Sequence, residues 1–170
     1  EPKLFKDNRG YFYESFNDVE FKTKVANTDF VQDNESKSCY GVLRGIHFQK
    51  PPFSQSKLVR VVKGKVLDIA VDLRKDSPTY GQWTGVILSA RNKKQFFLPR
   101  GMGHAFVVLS KTAVFQYKCD NFYCKESEGG IAWNDPTLNI DWGISAKDII
   151  LSEKDKCHQT FEQYNNNPDF

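Results

Sequence analysis

Proton transfer is the chemistry this chain's side chains are best equipped to perform. It has three histidines, His47, His104 and His158. An imidazole ionises near neutral pH, so it can take or give a proton under working conditions. His47 lies in Gly41-Val42-Leu43-Arg44-Gly45-Ile46-His47-Phe48-Gln49, and His104 in Pro99-Arg100-Gly101-Met102-Gly103-His104-Ala105-Phe106. A lone histidine serves as readily as a satisfied structural residue, and the pattern leaves both readings open. His158 falls in a polar C-terminal stretch and reads as a surface residue. Tyr117 lies in Ala113–Cys119, where strand alternation puts Phe115 and Tyr117 on one face, opposite Val114, Gln116 and Lys118. Lys57 is in phase with Val59 and Val61. It is either a solvated lysine at a strand start or an inward ammonium. Unpaired, an inward ammonium is costly to bury, and an anionic intermediate would give it a reason.

Other chemistries fit poorly. Barrel metalloenzymes commonly use two histidines one residue apart on a strand, and Gln49 stands where the second would be. His47 and His104 alone are a poor ligand set, so no catalytic metal is expected. No GxSxG elbow is present, which argues against a serine nucleophile. Neither GxGxxG nor GxxxxGK[ST] occurs, so any diphosphate must be held by side chains. Arginine's bidentate fork suits that task.

The elements that must position these groups are strands. The 170 residues suit one domain with a full core, and aromatics, at 14%, favour strands over helices. Apolar runs at Leu58–Val62, Val66–Leu73, Gly85–Leu88, Gln95–Leu98, Ala105–Leu109 and Ala113–Cys119 are separated by turn signals. Such spacing predicts an antiparallel sandwich or barrel. In Val66–Leu73, Leu67, Ile69, Val71 and Leu73 share one face, and Asp68 and Asp72 lie on the other with Val66 and Ala70. Helices are minor: a short one over Asp18 to Lys24, and a C-terminal turn capped by Ser152. The polar tail Gln163–Phe170 is expected to be loose.

A net charge of +3, spread along the chain, does not suggest nucleic-acid binding. No apolar run approaches the roughly 20 residues that span a bilayer, so no membrane partner is expected. Cys39, Cys119, Cys124 and Cys157 form no CxxC pair and read as free thiols of a reducing cytoplasm. The chain opens with Glu1, so a short N-terminal piece is expected to precede it.

An ordered series of motifs carries a resemblance. It runs Asp7-Asn8-Arg9-Gly10-Tyr11-Phe12-Tyr13-Glu14, Phe30-Val31-Gln32-Asp33-Asn34, then the His47 segment quoted above. It continues through Ser54-Gln55-Ser56-Lys57-Leu58-Val59-Arg60-Val61, Asp76-Ser77-Pro78-Thr79-Tyr80-Gly81, Tyr117-Lys118-Cys119, Trp133-Asn134-Asp135-Pro136 and Leu151-Ser152-Glu153-Lys154-Asp155. Each motif is weak, but the ordered set is strong and covers nearly the whole chain. Together they resemble the dTDP-4-dehydrorhamnose 3,5-epimerase family. The resemblance implies an all-β, cupin-type jelly roll with short peripheral helices, no metal, no cofactor, and a homodimer. The implied substrate is a dTDP-4-keto-6-deoxy sugar, inverted beside its ketone in dTDP-rhamnose biosynthesis.

The resemblance also assigns roles. His47 matches the base, Tyr117 the acid, and Asp155 the carboxylate paired with the base. Lys57 and His104 match groups around the ketone. Arg9, Glu14, Gln32, Asn34, Arg44, Glu128 and Lys154 match substrate-binding positions, and Tyr123 the residue stacked on the thymine. Arg9's counterpart binds across the dimer. Phe48 replaces a frequent Tyr, Gly103-His104-Ala105 the usual Ala-His-Gly, and Cys124 a typical Ala, and the change beside His104 falls on what reads as a loop.

One geometric demand follows. Arg44 and His47 are three residues apart, so alternation would put them on opposite faces, yet both must face the ligand. A bulge at Gly45 would resolve this. Rival readings are a 3-epimerase or ketoisomerase on a related sugar, and a non-catalytic sugar-binding jelly roll.

Overall fold

Period-2 alternation needs a second layer to cover each apolar face, and here two sheets stack. The computed structural model describes residues 1–170. One sheet has four strands in the order β3 (Gln32–Cys39), β10 (Thr112–Cys119), β5 (Lys57–Lys63), β8 (Gln95–Leu98). The other has five, ordered β11 (Glu128–Gly130), β4 (Leu43–Gln49), β9 (Met102–Val108), β6 (Lys65–Asp72), β7 (Trp83–Ser89). Every pairing is antiparallel, and sequence neighbours repeatedly cross between sheets, giving a cupin-like jelly roll. A hairpin of β1 (Phe5–Asp7) and β2 (Gly10–Phe12) pairs only with itself.

Two helices flank the sheets, α1 (Asp18–Lys24) and α2 (Phe161–Asn166). Asn17 caps α1 by accepting from the Glu20 amide at 3.0 Å, and Asp18 and Glu20 in its first turn suit the helix dipole. Phe21 is its one buried residue and pins it against Phe16, Phe30 and Phe97.

The core has two parts. Between the sheets lie Val59, Val61, Val66, Ala70, Leu98, Phe106, Val108 and Phe115. On the far side of the five-stranded sheet, Ile46, Phe48, Ile69, Val71 and Val107 pack against Ile131, Leu138, Trp142, Phe161 and Tyr164. β6 is therefore covered on both faces. This is why its acidic-looking face, with Asp68 at 0% exposure, is interior.

Two expectations are corrected. The tail is folded, not loose: Thr160 and Gln163 form a capping box on α2, Tyr164 is buried, and Phe170 packs edge-on against Phe48. The stretch around Gly103 is not a loop. β9 begins at Met102, and a Cβ on Gly103 would press on Ile46 and Leu73, so glycine permits this packing. The Ser152 turn forms as expected, with Asp155 N–H donating to Ser152 Oγ at 3.2 Å. No helix is long and apolar enough to cross a membrane.

Candidate active site

The expected bulge is present. Arg44 pairs with Phe106 and His47 with His104. Three steps along β4 thus oppose two along β9, so β4 carries one extra residue. Gly45 has φ +125°, and a Cβ there would run into Ala105 and the His104 carbonyl, so only glycine fits. The kink leaves Ile46 and Phe48 in the outer core and turns Arg44 and His47 to the other side. Arg44 reaches across to Ser38 Oγ at 3.3 Å on β3 of the opposite sheet.

A cavity of about 250 Å³ opens between the sheets. His47 lines it from the five-stranded sheet, and Tyr117, Lys57, Gln32 and Asn34 from the four-stranded sheet. Imidazole and phenol therefore stand on opposing walls of one cavity. Tyr123 and Glu128 also line it, as do Gln49, Gln55 and Cys119, which sequence reasoning did not single out.

His47 binds Asp155 through Nε2, and the carboxylate sits at 4% exposure. The Nε2–H donates to Asp155 Oδ1, leaving the Nδ1 lone pair of the neutral ring as the basic site. Burial holds the imidazole below its ordinary pKa, and Asp155 partly offsets this. Burial alone would raise the Asp155 carboxyl. Contacts from His158, His47 and Ser152 outweigh it and hold the group well below the usual carboxylate range. Ser152 donates to Asp155 Oδ2 at 2.7 Å.

On the opposing wall, burial raises the Tyr117 phenol, and the nearby Arg44 charge opposes that rise. The phenol is therefore a proton donor throughout the neutral range. Lys57 Nζ lies 5.9 Å from the Tyr117 ring centroid. Burial depresses the Lys57 ammonium, with Cys119, Asp68 and Glu128 opposing. The inward reading of Lys57 is the one realised.

The other expected residues divide into three groups. Gln32 and Asn34 are joined at 3.0 Å, and Gln32 Oε1 accepts from the Tyr123 amide at 3.2 Å, which forms one polar rim. Lys154 pairs with Glu128 at 2.5 Å beside it. His104 lies deeper, bonded to Asp68 Oδ2 at 3.1 Å and stacked on Phe115, and does not line the cavity. Arg9 and Glu14 are elsewhere: Arg9 pairs with Asp7 in the exposed hairpin, and Glu14 accepts from Asn17. A larger cavity of about 560 Å³, bordered by Phe16 and by Asp33, Arg60 and Lys118, contains no histidine.

His158 was misread. Its side chain is only 11% exposed, and Nε2 lies 3.4 Å from the Asp155 oxygen that holds His47. Nothing local in Cys157-His158-Gln159 signals this. The ring is seated on Gly130, the register partner of His47, where a Cβ would collide with it. Asp68 did carry a signal, since alternation already placed it with Val66 and Ala70.

A jelly roll with a carboxylate-held imidazole facing a phenol and a buried lysine has the parts of an acid–base enzyme. The family model for dTDP-4-dehydrorhamnose 3,5-epimerase matches residues 1–163. The dTDP-4-dehydrorhamnose 3,5-epimerase of Shigella flexneri is 53% identical over 162 residues, which is 95% of this chain and 88% of that protein. The crystal structure of the Elizabethkingia anophelis enzyme of that name superposes with TM-score 0.92 at 56% identity, covering 97% of this chain and 91% of that one. The dTDP-6-deoxy-D-glucose-3,5-epimerase of Legionella pneumophila, solved with dTDP-4-keto-L-rhamnose, gives TM-score 0.91 at 48% identity over 95% and 86% of the two chains. A 3'-monoepimerase from Streptomyces bikiniensis also shares the fold, at TM-score 0.89 and 33% identity over 97% and 83%. The chain belongs to the dTDP-4-dehydrorhamnose 3,5-epimerase family.

Proposed function

We propose that this chain epimerises dTDP-4-keto-6-deoxyglucose at C3 and C5, giving dTDP-4-keto-rhamnose for dTDP-rhamnose biosynthesis, with His47 as base and Tyr117 as acid. A proton beside a ketone is weakly acidic, so its removal needs a base and a stabilised enolate oxygen. His47 Nδ1 takes the proton, and Asp155 stabilises the imidazolium that forms. Lys57 offers positive charge to the enolate oxygen in a cavity where burial strengthens the attraction. Tyr117 returns a proton from the opposite face, which inverts the centre. Substrate and product share one oxidation level, so the reaction requires no redox cofactor.

Gln32, Asn34, Tyr123 and Glu128 line the cavity, Lys154 is paired with Glu128 beside it, and together they bind the rest of the substrate in this reading. Arg44 grips the diphosphate from beside Tyr117. His104 acts from behind the cavity wall, through its place beside Asp68. Arg9 and Glu14 are distant from the cavity within one chain, so they serve a neighbouring copy's site in a homodimer. The self-paired hairpin, with Phe5, Tyr11 and Phe12 exposed, supplies a surface for that association. Residues 1–170 act as one epimerase domain, since the C-terminal segment completes the core and delivers Asp155. Four free cysteines fit a reducing cytoplasm.

The observation that carries this reading is an imidazole–carboxylate pair and a phenol on opposing walls of one cavity. Incubation with dTDP-4-keto-6-deoxyglucose in heavy water tests it. Deuterium at both C3 and C5, by proton NMR, is the expected result. Label at C3 alone would favour the second reading, a 3-epimerase, which the likeness to the 3'-monoepimerase supports. No label at either carbon would contradict both.

A further inference from the structure

His158 is a largely buried histidine to which the proposed epimerisation assigns no proton transfer. Its Nε2 has no hydrogen-bond partner, although the ring is packed between Gly130 and the His47–Asp155 pair. The His47 and His158 rings meet edge-on, with centroids 5.4 Å apart. One ligand atom from each of His47, Asp155 and His158 falls within 4.8 Å of the other two. Two imidazoles and a carboxylate, with one coordination position left for water, form a familiar donor set for zinc.

One edge of the cluster already fits that ion. Ligand bonds of about 2.0–2.2 Å in a tetrahedron place donor atoms about 3.3–3.5 Å apart. His158 Nε2 and Asp155 Oδ1 are 3.4 Å apart. The His47–Asp155 contact is closer and would need to open to the same edge. Ser152 already supports the carboxylate from its other oxygen, as ligating carboxylates usually require.

We propose that His47, Asp155 and His158 form an inhibitory site for Zn²⁺, which captures the general base. The ion would take His47 Nε2 in place of the proton now shared with Asp155. In a neutral ring that proton then belongs on Nδ1, which no longer has a lone pair for the sugar. The ion is a competitor of the reaction and takes no step in it. The inhibition rests on the reading of His47 as base, whereas the binding does not.

The test is titration of EDTA-stripped protein with Zn²⁺ by calorimetry and with Co²⁺ by visible absorption, alongside epimerase assays. One tight Zn²⁺ per chain is expected. Co²⁺ should give the d–d bands of a four-coordinate nitrogen–oxygen site without thiolate charge transfer. His158→Gln should weaken Zn²⁺ by more than the roughly 10–100-fold seen when a mere supporting partner of a ligand is lost. Whatever activity it retains should not fall on adding Zn²⁺, whereas the parent protein is inhibited and recovers only on adding EDTA. Gly130→Ala, which crowds the His158 ring from the strand side, should weaken binding in the same direction should the first variant not fold. Cys157→Ser should change nothing. Undiminished Zn²⁺ affinity in both His158→Gln and Gly130→Ala, or binding lost in Cys157→Ser, overturns the site. If His47→Ala keeps full epimerase activity while His158→Gln loses Zn²⁺, the base assignment fails and the metal site stands.

Discussion

At the residue scale, the proposed catalysis turns on which nitrogen of His47 is free. Asp155 takes Nε2–H, so the neutral ring presents Nδ1, the base in the proposed mechanism. Burial lowers the imidazole pKa, so the ring stays neutral to a lower pH than an exposed histidine, whose ordinary value is about 6.5. Protonating His47 removes the base, so kcat/KM should fall as pH drops, with its inflection below that value. Asp155→Asn removes the partner that favours the protonated ring, so the inflection should move lower still. Its amide can also donate to Nε2 and shift the ring proton to Nδ1, which should cut the plateau by about 10²-fold or more. A pH–rate profile of the two proteins checks both effects. An unchanged inflection and plateau would contradict the pairing. Pattern alone left His47 and Lys57 open, and it was the resemblance that singled them out together with Tyr117. His158 was not legible, because its environment is made by Gly130 and Asp155, and no local pattern encodes a ring seated on a distant glycine.

The element that matters most is β4. Its extra residue turns Arg44 and His47 to the same side, and Gly45 makes that possible at φ +125° with the β9 backbone against it. A Gly45→Ala chain should lose about 2–4 kcal/mol of stability from strain and crowding together, and activity with it. Thermal melts and rates read this out, and a parent-like Tm would remove the bulge from the account. The bulge was inferable because two residues three apart had to share a face. Most strands were legible from alternation, and β8 and α1 fall where the sequence puts them. The start of β9 was missed because Met102-Gly103 looks like a turn, although Gly103 serves close packing. The C-terminal helix was missed for a related reason. Phe161 and Tyr164 are correctly spaced for one helical face, but six residues give too short a period to detect.

Taken whole, the molecule is a sandwich whose two sheets each bring one half of the proposed proton-transfer pair. The five-stranded sheet holds the imidazole, with its carboxylate delivered by the C-terminal segment packed behind it. The four-stranded sheet holds the phenol and the lysine. Jelly-roll closure, which no single strand specifies, sets the spacing between them. That is why strand alternation could supply the parts, while their opposition across a cavity was expected from the resemblance alone. Distributing acid and base over two walls also predicts that their variants fail differently. The most direct measurement is solvent deuterium incorporation by His47→Ala and Tyr117→Phe, beside the parent protein. His47→Ala should neither label nor invert the sugar, with a rate down by about 10²–10⁴-fold. Tyr117→Phe should still wash deuterium in from the base's side while inversion collapses. Equal exchange and inversion in all three proteins would show that proton transfer occurs somewhere other than between these two walls.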